Sequence, residues 1–494
     1  MRVFAVSKTA SLCRIGKEIF LCLQFVVTTL NQKGEMKMKN KLILMDVDER
    51  PKLIKWIALS FQHLFAMFGA TILVPMLTGL SPAIALMSSG IGTLAYLIVT
   101  RGKIPSYLGS SFAFIVPIIT VSQGGKHLGD ALFACLLVGF MYGFVALIVY
   151  RFGVKWLDHI LPPVVIGSVV IVIGLALAGV AVDMASKTDM VQPMPTNSAE
   201  WSQVTDTVKN VDTDKKEITV HVYSLKHFGV ALATLAIAII ANLFFRGFLS
   251  IIPILIGIIG GYIVAYLTGL VDLTPVYQAS WLALPTFTTP TVSWKAALVI
   301  LPVTLVVLAE HIGHLIVTGN IMGRDLTKDP GLHRSLLGDG IATSIAALIG
   351  GPPTTTYGEN IGVMAITRIF SVWVIGGAAV LAISFSFVGK LSALISTIPA
   401  PVMGGVSILL FGIIASAGLR MLIENKIDLS IRRNLIISAV ILVIGIGGAV
   451  LRFANIHLEL EGMALATVVG ILLNLILPKD ASETDPVTGE ESLA

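Results

Sequence analysis

The chain has 494 residues, 55% of them hydrophobic and only 13% charged, with a mean hydropathy of +0.89. Soluble domains carry about 25% charged residues, so this composition excludes a soluble globular protein and implies a polytopic membrane protein. The net charge of +5 is spread over short connections between apolar segments rather than gathered into a nucleic-acid patch, and Cys13, Cys22 and Cys135 form neither a disulfide framework nor a metal cluster.

Residues 1–48 read as an N-terminal extension. Within it, residues 19–30 (Ile-Phe-Leu-Cys-Leu-Gln-Phe-Val-Val-Thr-Thr-Leu) have the length of a signal-peptide apolar region, but no small-residue cleavage site follows. Translation starting at Met36 or Met38 is the simpler expectation. A spanning helix needs about 20 mostly apolar residues. By that measure the chain holds fourteen segments, beginning near Ile54, Pro82, Gly109, Leu128, Leu161, Leu225, Gly247, Trp294, Arg334, Thr355, Phe370, Val402, Asn434 and Leu460.

Arg101, Lys103, Arg151, Lys155, Arg246, Arg324, Lys328, Arg368, Arg420, Lys426, Arg432 and Arg433 all fall on one side of this arrangement. Apart from the long stretch 183–224, which the positive-inside rule exempts, the connections opposite hold far fewer: Lys126, Lys390 and Arg452. The positive-inside rule then predicts a multi-pass protein of the cytoplasmic (inner) membrane with both termini in the cytoplasm. The polar stretch 183–224 is expected on the external side, and residues 479–494 read as an acidic, disordered cytoplasmic tail.

Fourteen segments divide into two halves of seven, 49–270 and 271–478, and an odd number of spans per half makes the repeats inverted. In each half the third segment is short and polar. One is residues 109–117 (Gly-Ser-Ser-Phe-Ala-Phe-Ile-Val-Pro); the other carries Thr355, Thr356, Tyr357, Gly358, Glu359 and Asn360. Paired broken helices at equivalent positions point to a transporter's midplane site. Their freed backbone amides must face protein, water or substrate, and each half-helix N-terminus favours a carbonyl oxygen or an anion. Short loops that merely re-enter the membrane are the competing reading.

An ionisable residue at bilayer depth costs about 2.5–3.5 kcal/mol even on lenient scales, and two glutamates sit there. Glu310 and His314 are four residues apart on one helical face, which suits a carboxylate that binds substrate or proton beside an imidazole that shares the proton. A buried pair that only holds helices together is the alternative. His311 and His314 with Glu310 resemble zinc spacing superficially, but no further ligand completes a set. Glu359 has no adjacent Lys or Arg, making it a candidate proton carrier or else the cap of a broken helix. Phe112 and Phe114 read as packing residues when taken alone, and Asp339 is left unassigned. No nucleophile and base stand out for an intramembrane enzyme.

Two acceptors, an imidazole and free backbone donors suit a small planar solute bearing both N–H and C=O groups, a pattern that uracil has. Other small amide-like solutes fit the same chemistry. An ion channel or an anion transporter of the same architecture remains a rival, although glutamates in the site would repel an anion.

The chain resembles the nucleobase–ascorbate transporter (nucleobase:cation symporter) family, most closely its bacterial uracil-transporting branch. The resemblance rests on residues 108–114 (Leu-Gly-Ser-Ser-Phe-Ala-Phe), 309–314 (Ala-Glu-His-Ile-Gly-His) and 356–368 (Thr-Tyr-Gly-Glu-Asn-Ile-Gly-Val-Met-Ala-Ile-Thr-Arg). Residues 330–334 and 401–406 add to it. It implies an all-α polytopic fold of two inverted seven-helix repeats arranged as a core and a gate domain, with short strands in segments three and ten. It also implies substrate contacts from Glu310, Glu359 and the backbone amides of Phe112 and Gly358, a pocket lined by Ala70 and Tyr357, and proton coupling through Glu310 and His314. The implied activity is proton-coupled import of uracil by alternating access, driven by the proton gradient without a cofactor, in a possible homodimer. Oxidised-purine members carry Gln-Asn where this chain has Glu359-Asn360, which favours a pyrimidine over xanthine or urate. Thr354 replaces a common Asn, and Phe411 replaces a gate-side Tyr of some members, so the exact pyrimidine, thymine included, stays open.

Overall fold

The computed structural model describes residues 43–122, 125–193, 208–212, 217–246, 249, 252–453 and 458–478. The expectations for the leader or alternative start and for the tail lie outside the described residues. Segments that are apolar on every face must close their own backbone hydrogen bonds in lipid, and the chain accordingly folds as helices. The first half contains α1 (Leu53–Thr78), α2 (Pro82–Val99), β1 (Leu108–Ser110), a 3-10 turn (Phe112–Phe114) running into α3 (Ile115–Ser122), and α4 (Leu128–Phe152). A short α5 (Lys155–Ile160) leads to α6 (Pro163–Ala176) and α7 (Ala178–Ser186). After β2 (Lys187–Pro193), β3 (Val208–Asp212) and β4 (Glu217–Tyr223), this half closes with α8 (Leu225–Phe244) and α9 (Pro253–Leu267).

The second half opens with α10 (Thr274–Gln278), α11 (Trp294–Ile300) and α12 (Thr304–Met322). It continues through α13 (Leu332–Ile349), β5 (Thr354–Thr356), α14 (Gly358–Thr367) and α15 (Val372–Ser386). A short α16 (Gly389–Ser396), α17 (Ala400–Glu424), α18 (Arg432–Ile446), the hairpin β6 (Val450–Phe453) and β7 (Leu458–Glu461), and α19 (Gly462–Ile476) complete it. All fourteen expected segments coincide with a helix or a strand–helix unit. Among the described residues, seven helices are long and apolar enough to cross a membrane by length and composition.

The polar stretch 183–224, expected only as a loop, finishes α7 and then builds a three-stranded antiparallel sheet in the order β2-β4-β3. Its signal was the period-2 alternation in β4, where Ile218 and Val220 are buried while Thr219 and His221 are not.

Two helical bodies emerge, each drawing on both halves. Helices α1, α2 and α4 pack with α13 and α15, whereas α6, α7, α8 and α9 pack with α17, and α18 packs with α6 and α19. The first body is the core and the second the gate. The short helices α5 and α16 occupy equivalent places, each joining the fourth span of its half to the fifth. Proline opens the following helix both times, after Pro162 for α6 and after Pro399 for α17. That recurrence is the internal repeat made visible in sequence.

At the centre of the core, β1 and β5 pair antiparallel with Leu108 opposite Thr356, Gly109 opposite Thr355 and Ser110 opposite Thr354. The ladder extends through Tyr357 N–H to Tyr107 C=O at 3.0 Å and Ser111 N–H to Pro353 C=O at 2.9 Å. Gly109 is required here, because a Cβ at this position would overlap the Tyr357 ring. In the gate, Gly174 of α6 lies against the backbone of Phe411 and Ala415 in α17, the small-residue contact that lets membrane helices approach.

Residues 43–50 run beside the start of α15. Met45 C=O accepts from Phe370 N–H at 2.9 Å, and Val47 C=O accepts from Val372 N–H at 3.0 Å. Arg324 donates to both carboxylate oxygens of Asp46 at 2.8 and 2.9 Å, and Lys103 to those of Asp329 at 2.6 and 2.8 Å. These pairs are exposed and are worth about 0–1 kcal/mol each.

Candidate functional site

The broken spans place Glu359 in the first turn of α14, at the end where backbone N–H groups lack intrahelical partners. Glu310 lies on α12, which packs directly against both α14 and β5. Glu310 Oε2 has no hydrogen-bond partner among the described residues. Burial separates these residues from their chain neighbours. Glu310, His314 and Glu359 retain accessible surface and Gly358 is exposed, while Ala309, His311, Tyr357, Asn360 and Ile361 are buried. Accessible polar groups inside a membrane body mark a water-lined or ligand-lined crevice. Along α14 the open positions Gly358, Gly362 and Ile366 recur every four residues toward the helix's C-terminal end. There Arg368 donates to Ile321 C=O near the end of α12 at 3.2 Å. Arg368, at the end of α14, thus ties that helix to the end of α12 on the face that also carries Arg324.

Each expected pocket residue has a definite structural place. Tyr357 is buried, donates to Ser110 C=O at 3.0 Å and accepts from the Thr71 hydroxyl at 3.4 Å, which ties β1, α1 and the start of α14 together. Ala70 immediately precedes Thr71 on α1 and is buried. Phe112 starts the 3-10 turn after β1, and its ring meets Phe411 of the gate edge-on, with centroids 6.0 Å apart at 80°. Its aromatic ring thus serves packing, as residue type suggests, while its backbone lies at the start of the half-helix. Gly358 faces His314: a Cβ built on it would lie 3.4 Å from His314 Nε2. The other ring nitrogen of His314 is 3.2 Å from Thr356 Oγ1.

Asn360 turns away from the crevice. It is fully buried, and its amide nitrogen donates to the His63 carbonyl at 3.2 Å and lies 3.1 Å from His63 Nδ1. This anchors the first turn of α14 to α1 and leaves Glu359 as the group that looks outward.

A second polar cluster escaped the sequence reading. His311 Nδ1 lies 3.0 Å from Asp339 Oδ2, both residues wholly buried. His311 Nε2 is 2.8 Å from Ser335 Oγ, which is 2.7 Å from Tyr96 OH. The available signal was the spacing of Ser335 and Asp339, four apart on a membrane helix. Although His311 and His314 are three residues apart, they face different partners, His311 those of α13 and His314 that of β5, so the zinc-like spacing does not converge on one point.

A family model described as "Permease family" (Xan_ur_permease) matches residues 54–206 and 200–452. The uracil permease of Bacillus subtilis (strain 168) is 54% identical over 460 residues, covering 92% of this chain and 99% of that protein. The uracil permease of Escherichia coli (strain K12) is 50% identical over 430 residues, covering 87% and 93%. Among solved structures, that of SLC26A9 superposes with a TM-score of 0.62 at 12% identity, covering 86% of this chain and 65% of that one, which is a likeness of fold. The chain belongs to the Xan_ur_permease family of multi-pass membrane permeases.

Proposed function

We propose that the protein is a uracil permease that imports uracil across the cytoplasmic membrane with protons, by movement of the core against the gate. One observation carries the reading: Glu310 and Glu359 both keep accessible surface on helices that pack against one another, with Glu359 at the amide end of a half-helix. Carboxylates accept the ring N–H bonds of a neutral pyrimidine and backbone amides donate to its carbonyls, with Phe112 and Gly358 as the donors. Uracil permeases at 54% and 50% identity support the substrate. Ala70 and Tyr357 shape the pocket, and Glu310 with His314 handles the proton, so the proton gradient is the energy source and no cofactor takes part. The crevice opens to the cytoplasm and both termini lie there, in keeping with the basic residues on that face. A homodimer is the expected assembly.

An anion transporter of the same architecture is the rival reading, but two carboxylates at the proposed site disfavour an anionic substrate. The deciding experiment is counterflow of radiolabelled uracil in proteoliposomes, challenged with unlabelled uracil, thymine, xanthine, urate and sulfate. Accumulation competed by uracil and not by purines or sulfate is the expected result. No counterflow from folded, inserted protein refutes the substrate.

A further inference from the structure

We infer that Thr356 is a positioning residue, one that holds the His314 imidazole with Nε2 at the edge of the crevice through both of its protonation states. The inference rests on the proton-coupling role proposed for His314. His314 Nδ1 is 3.2 Å from the Thr356 hydroxyl, while Nε2 faces Gly358, the residue whose amide is proposed to meet substrate. A hydroxyl both donates and accepts. It accepts from Nδ1–H when the ring is doubly protonated, and after rotation it donates to a bare Nδ1 when the ring is neutral. A carboxylate would serve only the first state, and an apolar side chain neither.

Thr356 is well placed for this task because its backbone is paired and its side chain is buried. It is buried in β5, paired with Leu108 across the central ladder. The ladder thus transmits the register of the two repeats to the orientation of one imidazole, and the partner of Nδ1 sets what Nε2 presents.

Several titratable groups share α12 with His314 or lie on the elements packed against it. Glu310 and His311 share α12 with it, Glu359 comes from α14, Asp339 from α13 and Tyr142 from α4. The Thr327–Gly331 turn beyond α12 carries Lys328 and Asp329, whereas α6 and α19 contribute no titratable side chain. A change confined to Thr356 alters none of these charges, so a moved pH profile reports the ring's own environment.

The test compares wild-type protein with Thr356→Val, which keeps the β-branched shape, and Thr356→Ser, which keeps the hydroxyl. Uracil uptake is measured in proteoliposomes across external pH 5.5–8. Loss of one hydrogen bond predicts about a fivefold fall in maximal uptake for Thr356→Val, with a displaced pH profile, a smaller change in KM, and rescue of all three by Thr356→Ser. A pH profile unchanged in Thr356→Val, or one that Thr356→Ser fails to restore, overturns the inference; Thr356→Ala replaces Val if that variant is not recovered folded.

Nitrogen NMR of histidine-labelled protein supplies an arm that needs no transport. In Thr356→Val one imidazole signal shifts, and the shifted signal is the one missing from His314→Gln. If wild-type protein carries no uracil the substrate reading fails, and this NMR arm still decides whether Thr356 governs the ring. No shift of the His314 signal sinks the proposal.

Discussion

At the residue scale, the proposed function turns on which polar side chains keep accessible surface. Glu310, His314 and Glu359 do, whereas their neighbours His311 and Asn360 are consumed by buried partners. Replacing either glutamate with Gln preserves size but exchanges an acceptor-only group for one that also donates, so one bond to a ring N–H is lost or reversed. A hydrogen bond to a charged group is worth about 1.5–3 kcal/mol, which predicts at least a tenfold loss of uracil uptake for Glu359→Gln and for Glu310→Gln. Monodisperse protein in size-exclusion chromatography would show that folding is intact, and wild-type uptake by either variant would refute its role. Both carboxylates and His314 were legible in sequence, because charge at bilayer depth is rare and needs a reason. The buried His311–Asp339 contact was not legible as a pair, since 28 positions separate its members and only packing brings them together.

At the element scale, the informative unit is the pair of three-residue strands. Polar interruptions in segments three and ten announced that helices break there, but strand pairing between segments more than 240 residues apart is a tertiary event. Gly109 makes it possible by leaving room for the Tyr357 ring. Gly109→Val is therefore expected to displace that ring, cost about 1–3 kcal/mol through overpacking, and lower the melting temperature of detergent-solubilised protein. An unchanged melting temperature with normal uptake would mean the ring moves without consequence. In the gate, Gly174→Leu forces α6 away from α17 and predicts a comparable loss of thermal stability, checked in the same assay. The β2-β4-β3 sheet is the element the sequence reading missed: a strand signal four residues long within a polar stretch is easily taken for loop.

At the scale of the whole molecule, core and gate meet at a small number of identifiable contacts. Phe112 meets Phe411, and Met421 of the gate reaches the open side of Gly313, where an added Cβ would come within 2.6 Å of its methyl carbon. If transport requires the two bodies to move, then linking them stops it. A Gly313→Cys, Met421→Cys protein treated with a short bifunctional thiol reagent is predicted to lose uracil counterflow, with recovery when a reducible linker is cleaved. Full activity in the linked protein would rule out relative movement at this contact. The native Cys135 is buried, and Cys13 and Cys22 are replaced with Ser in the protein used for this test.

The sequence alone determined that the chain lives in a membrane, how many times its apolar segments recur, that its halves are inverted repeats, and which carboxylates require explanation. Those properties follow from local composition and period, which lipid enforces segment by segment. Only the tertiary structure decided which broken span meets which, that Asn360 is tied to His63 while Glu359 is left open, and that His314 answers to Thr356. These depend on distances between parts of the chain remote in sequence, where packing rather than local preference selects the partner.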